Sequence, residues 1–242
     1  MNVLGVVLAR GGSAGLKNKH TLKLLGKPVI GYTFEHVHAA SLLTRVVVTS
    51  DSQDILRLGS GAGLDTIVRP AKLATAEASV QEVMLHAMEQ IESRSAFRAD
   101  ALVVLYGNVP VRPAGVINRA IQLLRETRCD SVRSFSPVGK WHPAWMARLD
   151  DDRVIPLQPG SIHRRQDLTP LFLHDGAVVA VSRESMLRGR KNPTDPHAFF
   201  GEDRRGFEVQ AGQTVEIDTL RDLYWAEAVI RSAHPDAMRI AS

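Results

Sequence analysis

Short β-branched runs alternating with segments of helical period constrain this chain more than any other feature. Val3–Leu8 (VLGVVL), Arg45–Thr49 (RVVVT), Asp65–Val68, Ala101–Leu105 and Ser131–Phe135 read as strands. Between them, Val29–Ala40, the stretch running toward Leu58, Ser79–Ile91 and Ala114–Glu126 carry apolar residues at helical spacing. Ser50 and Asp51 are placed to cap the second of these helices. Apolar strands joined by helical crossovers build βαβ units, and such units need a sheet covered on both faces. The expected fold is α/β, a doubly wound, mostly parallel Rossmann-like sheet in a single domain over residues 1–242.

The rhythm breaks after Phe135. Residues 136–175 hold several prolines with Trp141, Trp145 and Phe172, and are expected to form a small inserted β-rich flap that serves dimerisation. Ala177–Val181 returns to strand character, and Arg183–Arg188 gives a short helix. Residues 189–212 read as loops, Thr214–Ile217 as a short strand and Thr219–Arg231 as a closing amphipathic helix.

Composition removes several function classes. No apolar run approaches the roughly 20 residues needed to cross a bilayer, so no membrane partner is expected. Residues 1–9 are apolar but lack a basic leader, and read as a buried first strand rather than a signal peptide. The single cysteine, Cys129, forbids an intrachain disulfide and fits a reducing, cytoplasmic location. The net charge of +4 includes no basic block interleaved with aromatics, so no nucleic-acid partner is expected. A small anionic substrate suits the modest excess of cations equally well.

The strongest local signal is Leu8-Ala9-Arg10-Gly11-Gly12-Ser13-Ala14-Gly15-Leu16, directly after the first strand. Its glycines let the backbone turn tightly and aim N–H groups at a ligand. Ser13 adds a hydroxyl, and Arg10, Lys17 and Lys19 surround the turn with cations. Such a turn, opening a doubly wound sheet, is where phosphates bind.

This segment resembles the opening signature of the acylneuraminate cytidylyltransferases (CMP-sialic acid synthetases), approximately A-R-x-x-S-K-G-[LI]-x-x-K-N. Arg10, Ser13, Gly15, Leu16 and Lys19 match it, while Ala14 replaces the family lysine and His20 the family asparagine. Arg69-Pro70-Ala71-Lys72-Leu73-Ala74 is similar to the family's R-P-x-x-L-A element, followed by Ser79. Leu105–Arg112 keeps Pro110 and Arg112 of L-Q-P-T-S-P-x-R. Its Tyr106-Gly107-Asn108 looks closer to the Y-G-D of sugar-phosphate nucleotidyltransferases. His142-Pro143 matches a family pair, with Trp145 where lysine is common. Arg165-Gln166-Asp167-Leu168 and Phe172 to Ala177 resemble R-Q-x-L…F-x-x-[ND]-G-A.

Val215-Glu216-Ile217-Asp218-Thr219 resembles the family's D-I-D-T. Alternation along an extended segment puts Glu216 and Asp218 on one face, where two carboxylates repel unless a cation or water lies between them. Asp218 is equally placed to cap the following helix.

The resemblance runs from Val3 to about Ala228 and implies a nucleotidyltransferase fold that couples CTP to an acidic sugar such as a sialic acid, releasing pyrophosphate. Another anion, such as a deoxy-octulosonate or a phosphonate, is the runner-up, and a nucleotide-binding homologue without catalysis is a third reading. The resemblance further implies that Leu8, Ala9, Arg10, Gly11, Gly12, Ser13, Gly15, Lys19, Arg69 and Ser79 bind the nucleotide. Arg10, Lys19 and Asp218 would be catalytic. Arg165, Gln166, Tyr106 and Asn108 would meet the sugar acid, with Arg164 an alternative clamp. Glu216 and Asp218 would hold Mg²⁺ as the cofactor. It implies a homodimer in which residues 136–175 reach the neighbouring subunit. His142 and His174 are candidate bases on chemical type alone.

Overall fold

A computed structural model of the chain describes residues 1–12, 15–158, 160 and 164–233. Its elements, in order, are β1 (Val3–Leu8), β2 (Lys23–Leu24), β3 (Lys27–Pro28), α1 (Val29–His38), β4 (Arg45–Ser50), α2 (Gln53–Gly61), β5 (Asp65–Val68), α3 (Val80–Arg94), β6 (Ala101–Tyr106), α4 (Val116–Thr127), β7 (Ser131–Pro137), β8 (Ala147–Asp150), β9 (Arg153–Pro156), β10 (Phe172–Ser182), α5 (Arg183–Gly189), β11 (Arg204–Glu208) and α6 (Leu220–Ala233).

Seven strands form one sheet in the order β11-β7-β10-β6-β1-β4-β5. β4 and β6 flank β1 in parallel, β5 extends β4, and β11 lies parallel to β7. Only β10 runs antiparallel, between β6 and β7. The mostly parallel α/β sheet expected from the strand rhythm is what forms. Side-chain alternation shows why both faces must be covered. From β1, Val3 and Val7 enter a core with α1 and α4, while Leu4, Val6 and Leu8 enter the opposite core with α3 and α5. Ala101, Val103 and Leu105 of β6 follow the first set, and Leu102 and Val104 the second. Burial on both faces is why these strands are apolar throughout.

The chain winds from β1 outward to β5 and then returns through α3 to β6 on the other side of β1. This reversal opens a crevice at the carboxyl ends of the strands, where ligands of such sheets bind. A third, smaller core of Leu24, Val29, Tyr32, Val215, Ile217 and Ala226 seats α6 against that end.

Three local expectations change. Thr214–Ile217 forms no strand; it makes a single bridge, Val111 with Val215. Residues 189–212 contain strand β11, whose sequence RRGFE offers one buried apolar residue, Phe207, and so shows no apolar alternation. The cap of α2 is Ser52, without a side-chain bond, and neither Ser50 nor Asp51 caps it, because the Asp51 carboxylate is turned to the glycine turn.

Residues 136–175 hold the end of β7, three single 3₁₀ turns, the β8–β9 hairpin and the start of β10. All eight hairpin residues are exposed. His142 pins this region internally. Its Nδ1 accepts from Ala144 N–H (3.1 Å), so its Nε2 donates to the Thr169 carbonyl (3.0 Å).

Candidate functional site

The turn after β1 is tied down at both ends. Gly11 N–H donates to Asp51 Oδ1 at 2.8 Å, and Leu16 N–H donates to the Asp218 carbonyl at 3.0 Å. A Cβ on Gly15 would stand 2.7 Å from that same carbonyl oxygen, so only glycine lets the turn approach residue 218 this closely. Ser13 and Ala14 lie outside the described residues.

A cavity of about 210 Å³ opens beside this turn. Leu8, Ala9, Arg10, Lys19, Arg69, Tyr106, Asn108 and Glu216 line it, which brings together residues from five separate stretches of sequence. Arg69 is buried and latched to the end of β4, donating from Nη2 to the Thr49 carbonyl at 2.7 Å. Burial pulls its pKa down to about 10, with Asp51 opposing, so it stays cationic at neutral pH. Burial raises the Tyr106 phenol, helped by Glu216, leaving it a hydrogen-bond donor.

Glu216 and Asp218 do share a face, since Val215 and Ile217, which alternate with them, are buried in the third core. Lys19 Nζ lies 2.7 Å from Asp218 Oδ1, and Asn108 Nδ2 is 3.1 Å from Glu216 Oε1 and 3.5 Å from Asp218 Oδ1. The Asp218 side chain does not cap α6. Asp222 does so, accepting from Thr219 N–H at 2.8 Å and Asp218 N–H at 3.2 Å. The Lys19–Asp218 pair is open to solvent on the aspartate side, 62 % exposed, and such a pair is worth at most about 1 kcal/mol. Lys19 is therefore free to exchange a carboxylate for a phosphate at little cost. Two carboxylates with oxygen donors only, and no group of three or more histidine, cysteine or acidic residues among the described residues, suit a hard cation that completes its shell with phosphate oxygens and water.

The profile of the cytidylyltransferase family matches residues 4–229. The chain belongs to this family. Among curated relatives, it is 26 % identical to the N-acylneuraminate cytidylyltransferase of Streptococcus agalactiae over 92 % of this chain and 52 % of that protein. It is 24 % identical to the pseudaminic acid cytidylyltransferase of Campylobacter jejuni over 98 % of this chain and the whole of that one. The chain thus spans about half the length of the first relatives it matches. Among solved structures, a CMP:2-keto-3-deoxy-manno-octonic acid synthetase complexed with CTP has the same fold (TM-score 0.74, 18 % identity, covering 96 % of this chain and 100 % of that one).

Gly11, Gly12, Gly15 and Asp218 are not among the cavity's lining residues, and in this family member two further groups of expected site residues lie apart from it. Ser79 caps α3 in a reciprocal box with Glu82 and is not in the cavity wall. Arg165 and Gln166 line a cavity of about 440 Å³ in the 136–175 region, and Arg165 also lines a larger one of about 870 Å³. Neither shares a residue with the 210 Å³ cavity. Sequence reasoning passed over Asp51, whose carboxylate holds Gly11, and His20, which is buried in the cavity wall.

His20 and His36 make a testable pair. Burial, then the charge of Lys19, lowers the His20 pKa to about 4; burial, then Arg112, lowers that of His36 to about 3. The folded chain binds fewer protons than the unfolded one, so stability is complete above pH 6.5 and declines as pH falls toward 4 and 3. Between pH 7 and pH 5 each histidine should remove about 2 kcal/mol. The urea midpoint should fall by about 1 M or more, and His36→Gln should remove about half of that fall. A midpoint that does not move between pH 7 and pH 5 contradicts the assignment.

Proposed function

We propose that the chain transfers CMP from CTP to an acidic sugar and releases pyrophosphate. The observation that carries this reading is the convergence of Arg10, Lys19 and Glu216 on one cavity at the strand-order reversal, with Asp218 bonded to Lys19 and to the end of the glycine turn. Loop N–H groups, Arg10 and Lys19 hold the triphosphate. Tyr106 and Asn108 face the reacting end, and Arg69 closes the wall. Glu216 and Asp218 would hold Mg²⁺, which when bound supplies charge neutralisation on the phosphate oxygens. A hydroxyl oxygen of the sugar attacks the α-phosphorus and gives up its proton to water, the bond to the bridging oxygen breaks, and pyrophosphate leaves with that electron pair. Catalysis here is positioning and neutralisation of charge. His142 is no base, because both of its ring nitrogens are engaged within its own loop.

Arg165 is suited to clamp a carboxylate bidentately. Its separation from the nucleotide cavity fits a homodimer in which each 136–175 segment completes the site of its neighbour. Leu149, Val154 and Leu173 are each 67 to 69 % exposed, an apolar surface that association would cover. Sedimentation at micromolar concentration tests this, and a 26.6 kDa monomer would rule it out. The enzyme would work in the cytoplasm; no helix among the described residues is long and apolar enough to cross a membrane.

The deciding experiment is pyrophosphate release with Mg²⁺ and CTP across nonulosonic acids, deoxy-octulosonate and phosphonates, with ATP, GTP and UTP as controls. Release requiring CTP and one acid is expected. CTP binding without release for any acid would favour the non-catalytic reading.

A further inference from the structure

Asn108 follows the carboxyl end of β6 and is only 4 % exposed. It grips residue 217 twice. Ile217 N–H donates to the Asn108 carbonyl at 2.8 Å, and Asn108 Nδ2 donates to the Ile217 carbonyl at 2.9 Å. Nδ2 also stands 3.1 Å from Glu216 Oε1 and 3.5 Å from Asp218 Oδ1.

The acceptors fix which way the amide faces. Turned over, its oxygen would meet a carbonyl and two carboxylates, three groups with nothing to donate. The amide oxygen therefore points away from the pair, and Asn108 does not join the carboxylates as a third oxygen ligand. Its donor does something else. Two like charges on one face separate unless a donor holds them, and a single amide nitrogen reaches both. Lys19 compensates one of the two charges, at the same Asp218 Oδ1. An aspartate at position 108 would add a third, buried, negative charge against the Ile217 carbonyl.

We infer that Asn108 is a positioning residue that sets the spacing of Glu216 and Asp218 for a divalent cation. This rests on the cation-dependent reading above. It gives the Tyr106-Gly107-Asn108 sequence a physical reason: the chain builds its acidic site from two carboxylates and an amide organiser instead of three carboxylates.

The test is Mn²⁺ binding, read from the EPR signal of the free ion, to the whole chain at saturating CTP. Asn108→Ala should weaken Mn²⁺ binding about ten-fold, the loss expected when an outer partner of a metal ligand is removed. In a Glu216→Gln background the same substitution should cost less than about three-fold, because the group it positions has already changed. A role confined to fold stability would cost the same factor in both backgrounds. If the alanine chain fails to fold, Asn108→Ser, which retains one donor, carries the same comparison. Unchanged Mn²⁺ affinity, or an equal loss in both backgrounds, overturns the inference while the transferase reading stands. A wild-type chain that retains CTP but no Mn²⁺ overturns the cation reading and the inference with it.

Discussion

Asp218→Asn is expected to lower pyrophosphate release about 1,000-fold and leave the melting temperature within a few degrees. Charge stabilisation by a bound cation is worth several kcal/mol, and each 1.36 kcal/mol is a factor of ten in rate. The fold loses little, because three observations separate Asp218 from structural duty. Its side chain is largely exposed, Asp222 caps α6, and the Leu16 tether uses the residue 218 carbonyl, which asparagine keeps. Lys19 loses its carboxylate but can still meet a phosphate. Activity within three-fold of wild type would remove Asp218 from the reaction.

Arg112→Leu is expected to prevent folding or to lower the melting temperature by about 10 °C or more. The guanidinium is buried between α1, β10 and the turn after β6. It donates to the Ala177 carbonyl at 2.8 Å, the Tyr106 carbonyl at 2.8 Å, the Val109 carbonyl at 2.5 Å and Thr33 Oγ1 at 3.0 Å. No carboxylate among the described residues lies within salt-bridge distance of it; Glu216 and Asp175 act on it from farther away. Leucine fills space but takes a donor from three carbonyls and leaves Tyr106 and Val109 only long contacts of 3.3 Å, at about 1–3 kcal/mol for each group left unpaired. Against a total of roughly 5–15 kcal/mol, that is enough to unfold a marginal domain. A conversion of about 2–4 °C per kcal/mol suits a chain of this size. Arg112→Lys should rescue little, because one ammonium cannot reach acceptors spread around a planar fork. A calorimetric shift under 3 °C for the leucine variant would show that the carbonyls find other partners.

The sheet was legible because its central strands are buried on both faces, and burial of that kind leaves continuous β-branched runs at β1, β4 and β6. β11 was illegible for the converse reason. It is an edge strand whose arginines face solvent, and its pairing with β7 rests on backbone bonds that leave no apolar period. The carboxylate pair was legible from alternation alone, although the segment is held by Val111 and Asn108 rather than by a ladder. Asp51 was misjudged because a carboxylate before a helix reads as a cap, and only the path of the loop after β1 brings a competing N–H to it. Ser79 belongs to a Ser-x-x-Glu box visible in the sequence, so its hydroxyl already had an assignment on local grounds. The placement of Arg165 lay beyond local reasoning, since spacing does not say how far a long loop carries a side chain from the turn after β1.

The stitch between Leu16 and residue 218 also has a timetable. The basic turn leaves the ribosome early, and its carboxylate counterpart is 199 residues behind Lys19. At about 5–20 residues per second, the nascent chain carries its cations uncompensated for about 10–40 seconds. A chain halted shortly before residue 216 has every strand of the sheet and none of the acidic pair, so the turn meets its carboxylates only after residues 216–218 have emerged.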